Sequence, residues 1–208
     1  MNQRNSLILP VYIPTLILSF SQGMLIPTLP LFAKEFATSY GWIGLVLAAE
    51  GVGRILGDIP AGFLLMRIGR NRSMVVGILL VVASVAALYG SSSAVQVVLF
   101  RLIAGVGNAT WNVSRHAYLA EATATYERGR AIAIFGGVNR IGSFVGPAVG
   151  GLVGAGFGLR MPFILYTILA GGACLVSAIT VDKEQSRSTR PRSFRIGDVC
   201  SGKIGVFS

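Results

Sequence analysis

The chain has 208 residues, of which 53% are hydrophobic and only 12% are charged, and its formal net charge is +10. Soluble domains usually carry about 25% charged residues, so this composition and a mean hydropathy of +0.69 indicate a membrane protein. The basic residues lie mostly between apolar segments, which argues against a soluble nucleic-acid-binding domain.

Six apolar segments are long enough to cross a bilayer, whose hydrocarbon core of about 30 Å requires about 20 helical residues. In chain order they are Leu7–Phe32, Trp42–Leu65, Met74–Ser91, Val95–Ala120, Ala131–Ala155 and Met161–Val181. The first is too long for the apolar core of a signal peptide, so we expect it to be retained as a span. The predicted fold is an all-α polytopic membrane protein, with a six-helix bundle over residues 1–181 and a basic, disordered cytoplasmic linker or tail over residues 182–208.

The basic residues alternate between the two sides of this predicted topology. With the N-terminus in the cytoplasm, 12 of the 18 Lys and Arg residues fall in cytoplasmic segments, and only Lys34 and Arg160 fall in external ones. Positive charge accumulates on the cytoplasmic side of membrane proteins. The pattern therefore predicts an integral protein of the plasma membrane with a cytoplasmic N-terminus.

Polar residues follow one helical face in spans 1, 2, 4 and 5, whereas spans 3 and 6 are mainly apolar and are expected to face lipid. The polar residues are Thr15, Ser19 and Gln22 in span 1, Glu50, Arg54 and Asp58 in span 2, Arg101, Asn108, Asn112 and Arg115 in span 4, and Asn139, Arg140 and Ser143 in span 5. A charge in mid-bilayer costs about 2.5–3.5 kcal/mol, so these faces should turn toward a shared interior. The order polar, polar, apolar occurs twice, which predicts a 3+3 inverted repeat.

Two spans also carry small residues at every fourth position, which lets helix backbones approach closely. The ridges are Ala49, Gly53, Gly57 and Ala61 in span 2, and Gly142, Gly146, Gly150 and Gly154 in span 5. Pro147 removes a backbone donor in the middle of span 5 and is expected to kink it.

Four short stretches carry a resemblance to a known family. The stretch GFLLMRIGRNR resembles the loop between helices 2 and 3 of the major facilitator superfamily, with the pattern G-x-x-x-D-R-x-G-R-x-R. The matching residues are Gly62, Arg67, Gly69, Arg70 and Arg72, and Met66 stands at the acidic position. RLIAGVGNA, from Arg101, is similar to the helix-4 pattern, and YERGRA, from Tyr126, is similar to the loop between helices 4 and 5.

The fourth stretch, GPAVGG, is similar to the helix-5 pattern that is typical of the antiporters of this family. The residues assigned to the helix-5 motif are Gly146, Pro147, Gly150 and Gly151 in this stretch, together with Gly142 four residues before it. The four stretches occur in the order and at the helix junctions of the family, and the resemblance extends over about residues 7–181. The resemblance implies one of two six-helix bundles that hold a small solute between them and expose it alternately to either side. It implies transport without a cofactor and, from the helix-5 pattern, efflux coupled to protons.

In the family the helix 2–3 loop acts as a cytoplasmic gate. Arg67, Arg70 and Arg72 are able to bind carboxylates and helix C-termini there, and Gly69 permits a tight turn. Glu121, at the cytoplasmic end of span 4, is a candidate partner for these arginines. The alternative is that these arginines have no gating role and only keep the helix 2–3 loop on the cytoplasmic side of the membrane.

The candidate cavity and coupling residues have alternative interpretations. These candidates are Gln22, Glu50, Arg54, Asp58, Asn108, Asn112, Arg115 and Arg140. The acidic residues of span 2 fit either proton coupling or an ion-pair ladder with Arg54 that neutralises itself. Arg101 and Arg115 fit either an anionic substrate or side chains that extend toward the membrane interfaces. The two asparagines fit either substrate contacts or interhelical hydrogen bonds, and Arg140 is closest to mid-depth.

The chain has no nucleophile–base arrangement, phosphate loop or metal-binding motif, so we do not expect an enzyme. The two cysteines, Cys174 and Cys200, fit neither a disulfide framework nor a metal site. The segment after Val181 resembles the linker between the two halves of the family. Transport would therefore require a C-terminal six-helix half or a second copy of the chain. The alternative is a truncated, non-transporting protein or a modulator of a full-length relative.

Overall fold

The computed structural model describes residues 11–36, 39–123 and 126–188. Each of the six predicted spans corresponds to a helix: α1 Ile13–Phe36, α2 Tyr40–Ile68, α3 Arg70–Tyr89, α4 Ala94–Ala122, α5 Arg128–Phe157 and α6 Met161–Ser188. No strand occurs among these residues. The start of the first span and the linker after residue 188 lie outside the described residues.

The helices extend further into the connections than the hydropathy pattern predicts. Gly69 alone separates α2 from α3, so the arginines expected in a loop lie in helical end turns. The φ angle of Gly69 is 81°, in the left-handed region where glycine is favoured. Its N–H donates to Leu65 O at 3.0 Å, which ends α2. α6 also runs seven residues past the predicted end of the bundle, to Ser188.

Five of the six described helices are long and apolar enough to cross a membrane, and α2 is not among them. With 29 residues, α2 is about 43 Å long, so its length is sufficient. It is distinguished by the charged residues Glu50, Arg54 and Asp58 in its interior. A charge in contact with lipid is costly, so we expect polar partners inside the bundle for the charges that lie at membrane depth.

The helix contacts confirm the inverted repeat. α2 packs along α4 and α1 packs along α5, while α3 packs on α4 and α6 packs on α1. If α1, α2 and α3 are exchanged with α4, α5 and α6, the α2–α4 contact becomes the α1–α5 contact. The same exchange turns the α3–α4 contact into the α1–α6 contact. Because successive helices are joined by short connections, α1 and α4 run in opposite directions, which makes the repeat an inverted one.

The glycine ridges fix the register of the two main crossings, α2–α4 and α1–α5. A Cβ atom on Gly57 would lie 2.8 Å from Val106 Cα and 3.0 Å from Ala109 Cβ. A Cβ atom on Gly146 would meet the backbone of Phe20 and Gly23. In the numbering, 89 residues separate the two ridge glycines, and 86 separate Phe20 from Val106 and Gly23 from Ala109. The two crossings therefore use equivalent positions.

α5 is one continuous helix that passes through Pro147. A Cβ atom on Gly23 would lie 3.0 Å from Pro147 Cδ, so the ring packs directly against α1. Only 17% of the apolar window of α5 is buried, against 56% for α1. α5 therefore leaves most of its surface available to lipid or to another protein.

Candidate functional site

A polar cavity of about 330 Å³ opens inside the bundle, with every helix contributing at least one side chain. Its polar wall is formed by Gln22, Glu50, Arg54, Arg101, Asn108, Ser143 and Tyr166. Its apolar wall includes Leu25, Ile26, Leu29, Leu47 and Val85. A cavity with mixed walls of this kind suits a small organic solute.

Glu50 is the centre of the polar wall. Its Oε2 accepts from Arg101 Nη2 at 2.5 Å, and its Oε1 accepts from Arg54 Nη2 at 2.7 Å and from Asn108 Nδ2 at 3.0 Å. Because Arg101 and Asn108 are on α4, the carboxylate joins α2 to α4. The Glu50 side chain is 12% exposed, and two guanidinium groups face this single carboxylate.

The ladder predicted within α2 is only partly formed. Arg54 pairs with Glu50 at i,i+4, but Asp58 is exposed and forms no ion pair with any described residue. The second oxygen of Glu50 is taken by Arg101 from another helix. The structure therefore places Asp58 outside the polar wall that the sequence assigned to it.

An amide pair joins α1 to α4 beside this carboxylate. Gln22 Nε2 donates to Asn108 Oδ1 at 2.7 Å, so Asn108 links Gln22 to Glu50. These two amides are 86 residues apart, the same spacing that relates α1 to α4 elsewhere. The sequence left open whether Asn108 makes interhelical hydrogen bonds or lines the cavity. Asn108 makes interhelical hydrogen bonds and also lines the cavity.

The sequence grouped Arg115 with Arg101 on one stripe of α4, and the structure separates them. Arg115 is 6% exposed and does not line the cavity. Its Nη2 donates to Asn112 Oδ1 at 2.5 Å, and its guanidinium lies 4.1 Å from the Phe135 ring centroid. Asn112 and Arg115 therefore belong to the α4–α5 contact, where an aromatic ring stabilises the buried cation.

Arg140 is exposed on α5 and forms no ion pair within the described ranges. Its neighbour Asn139 turns inward and accepts a hydrogen bond from Ser19 Oγ on α1. Asn139 and Arg140, which follow each other in the sequence, therefore present their side chains to different faces of α5.

The α2–α3 turn makes its main polar contact with the end of α4. Arg70 Nη1 forms an ion pair with Glu121, and the Arg70 guanidinium lies 5.3 Å from the Tyr118 ring centroid. This is the contact expected for Glu121, whose gating role stays a prediction. Arg67 and Arg72 are exposed and form no ion pair with described residues.

The glycines of the two motifs fall into different groups. Gly142 and Gly150, like Gly146, lie against the backbone of α1, at Phe20 and Met24. A Cβ atom on Gly62 or Gly151 would meet nothing within 4 Å. The close packing of α5 on α1 therefore requires glycine at positions 142, 146 and 150. Positions 62 and 151 have room for a larger side chain.

Two features of the structure were not predicted, one in the cavity and one at an end of the bundle. Tyr166 lies on α6, a helix expected to face lipid, yet its side chain is 2% exposed and lines the cavity. Arg160 donates to Tyr89 O at 3.2 Å and lies 5.7 Å from the Phe32 ring centroid, at the other end of the bundle. The adjacent polar residues Tyr166 and Thr167 in an otherwise apolar stretch were the available signal for Tyr166.

The sequence model of the Major Facilitator Superfamily matches residues 11–202. The chain belongs to this superfamily. It is 31% identical to multidrug resistance protein 2 of Bacillus subtilis over 159 residues, which are 76% of this chain and 38% of that protein. It is 26% identical to the tetracycline resistance protein, class H, of Pasteurella multocida over 189 residues, 88% of this chain and 46% of that protein.

The crystal structure of a D-xylose–proton symporter shares the superfamily fold with this chain, with a TM-score of 0.70 at 18% sequence identity. The match covers 90% of this chain and 53% of the symporter chain. The chain thus spans about half the length, or less, of the superfamily proteins it matches. Members of this superfamily are membrane transporters, and the fold and several apolar helices place this chain in a membrane.

Proposed function

We propose that the chain forms one six-helix half of a transporter that exports a small solute in exchange for protons. Two similar proteins carry drug or tetracycline resistance in their names, which favours efflux. The helix-5 motif, with Gly146 and Pro147 packed on α1, is typical of antiporters. The mixed polar and apolar cavity supplies a site of suitable size.

The observation that carries proton coupling is the position of Glu50. As a carboxylate it holds Arg54 and Arg101 together and joins α2 to α4. A proton on Glu50 removes the negative charge and weakens both charge-assisted hydrogen bonds. Proton binding and release would thus change the α2–α4 contact and the cavity wall, which links protonation to solute binding.

Two features support a partner bundle and an orientation. α2 and α5 expose large apolar side chains, including Ile55, Ile59, Phe144 and Leu152, which a C-terminal six-helix half or a second copy would cover. We place the N-terminus in the cytoplasm of a cell-membrane protein because the arginines of the α2–α3 turn then lie inside. Residues beyond the bundle then serve as the linker between the halves.

The test of coupling is efflux measured in everted membrane vesicles with tetracycline and lipophilic dyes as solutes. The chain is produced with the C-terminal half of the Bacillus subtilis relative, and a pH gradient is imposed. We expect Glu50→Gln to lose gradient-dependent transport at unchanged membrane abundance. The control Glu35→Gln, an exposed acid on α1, should keep it. Gradient dependence that persists in Glu50→Gln rules out Glu50 as the coupling group.

The same vesicles identify the required partner. Transport only when the C-terminal half is present supports a half-transporter, whereas transport by the chain alone supports a homodimer. No transport in either case, with altered activity of a full-length relative, supports the modulator alternative.

The gate is tested by reversing the charge of Arg70, which contacts Glu121 at the end of α4. We expect Arg70→Glu to lower transport without lowering abundance, because it replaces an attraction by a repulsion. The double variant Arg70→Glu/Glu121→Arg should recover part of the lost rate. Transport by Arg70→Glu at the unaltered rate contradicts the gating role.

A further inference from the structure

The C-terminal end of α4 gathers arginines from two other helices. Arg70, at the start of α3, pairs with Glu121. Arg128, at the start of α5, donates from Nη2 to Ala120 O at 2.7 Å. The α2–α3 turn and the beginning of α5 therefore meet on one turn of α4.

Positive charge exceeds negative charge at this end of the bundle. Residues 62–74 and 120–131 contain five arginines and two glutamates. Arg70 and Arg128 are occupied by the contacts to α4. Arg67, Arg72 and Arg130 are exposed, and no ion pair joins them to a described residue. We call these three residues the arginine face.

Exposed apolar side chains lie next to Arg67, one member of the arginine face, on the membrane side of this residue. Phe63 is 65% exposed and Met66 is 76% exposed, both in the last turns of α2 beside Arg67. A soluble polyanion would gain no binding energy from exposed apolar side chains. A phospholipid would, because its acyl chains contact the apolar side chains while its phosphate lies level with the guanidinium groups.

We propose that the arginine face binds the headgroups of anionic phospholipids. Arginine binds phosphate oxygens through paired hydrogen bonds, and basic residues beside transmembrane helices attract anionic lipids. The proposal does not depend on transport, because it rests on charge and exposure at one end of the bundle.

The opposite end of the bundle lacks this surplus. Its external connections carry only Lys34 and Arg160. Arg160 is engaged with Tyr89 O and the Phe32 ring, and Lys34 is followed directly by Glu35. The two ends therefore provide an internal comparison within one molecule.

The experiment reconstitutes the purified chain and measures the association constant of spin-labelled phosphatidylglycerol relative to spin-labelled phosphatidylcholine. We expect clear selectivity for phosphatidylglycerol that weakens as salt is raised. Each arginine near an anionic surface contributes about a fivefold factor, so Arg72→Gln/Arg130→Gln should lower the selectivity several-fold, while Arg67 and the basic residues after residue 181 retain part of it. Equal association of the two lipids, or an unchanged ratio in this variant, overturns the proposal.

A matched variant and a soluble competitor complete the design. Lys34→Gln/Arg160→Gln also removes two charges, from the opposite end, and should change the ratio by less than twofold. A larger change there than in Arg72→Gln/Arg130→Gln contradicts the placement of the site.

Inorganic phosphate should not displace the labelled lipid more than another salt of equal ionic strength does. Specific displacement would mean that the face takes free phosphate, which overturns the lipid assignment. Circular dichroism melting identifies any variant that does not fold, and the single Arg72→Gln then replaces the double variant.

Discussion

The α2–α4 and α1–α5 crossings share their packing but differ in their polar chemistry. Gly57 on Val106 and Gly146 on Phe20 are equivalent contacts of the inverted repeat. Equivalent positions of α2 and α5 are 89 residues apart, so Asn139 stands at the position equivalent to Glu50. Equivalent positions of α1 and α4 are 86 residues apart, so Thr15 stands at the position equivalent to Arg101. One crossing therefore holds a charged pair where the other holds two neutral residues.

This difference separates what the fold needs from what the site does. Close approach of backbones occurs in both crossings and follows from glycine at equivalent positions. Charge occurs in only one, where Glu50 joins two helices and faces the cavity. A buried ion pair is weak evidence for stability, so the pair in this one crossing fits the coupling role that we propose for Glu50.

The largest effect is expected where the crossings are alike. Gly57→Leu should lower the free energy of unfolding by about 3 kcal/mol or more, at or above the upper end of the usual range for overpacking, because its Cβ atom alone would lie 2.8 Å from Val106 Cα in the backbone of α4. Gly146→Leu should do the same in the other crossing. Folded protein in the membrane and titration with SDS measure both variants.

Matched controls lie on the same two helices. Gly62→Leu and Gly151→Leu place the same side chain where nothing lies within 4 Å, and they should retain the stability of the unaltered chain. If Gly57→Leu is as stable as Gly62→Leu, the two backbones do not approach as described.

The second effect should occur in the charged crossing alone. Glu50→Leu leaves Arg54 and Arg101 without their carboxylate and should cost about 3–5 kcal/mol, as for other buried pairs that lose one partner. The double variant Glu50→Leu/Arg101→Met should be more stable than Glu50→Leu, since it removes one uncompensated charge. SDS titration of the single and double variants gives the coupling. Additive effects of the two changes would show that the pair is not in contact.

The sequence alone was sufficient for the features that depend on periodicity. Hydropathy located all six helices, the repeated polar and apolar order predicted the inverted repeat, and the four-residue spacing of glycines identified one packing face in each crossing. Each of these patterns is carried within a single helix, where periods of three to four residues define a face.

Features that depend on the register between helices could not be predicted. Arg54 was an evident partner for Glu50, but Arg101 reaches the carboxylate only because the ridge of α2 fits α4 at a particular height. Arg115 shares its stripe with Arg101 but lies about 21 Å further along the helix, beyond the cavity. Tyr166 was missed because a few uncharged polar groups hardly lower the mean hydropathy of an apolar span, which is 1.9 for α6.

The smallest effect is expected in the neutral crossing, where Ser19 Oγ donates to Asn139 Oδ1. Interhelical hydrogen bonds in membranes contribute about 0.6 kcal/mol on average, so Ser19→Ala and Asn139→Leu should each cost about that amount. The two substitutions together should cost no more than either one, because both remove the same bond. SDS titration of the three variants measures the coupling. A cost as large as that of Glu50→Leu would mean that the neutral crossing stabilises the bundle as strongly as the charged one. The difference between the crossings would then no longer support a coupling role for Glu50.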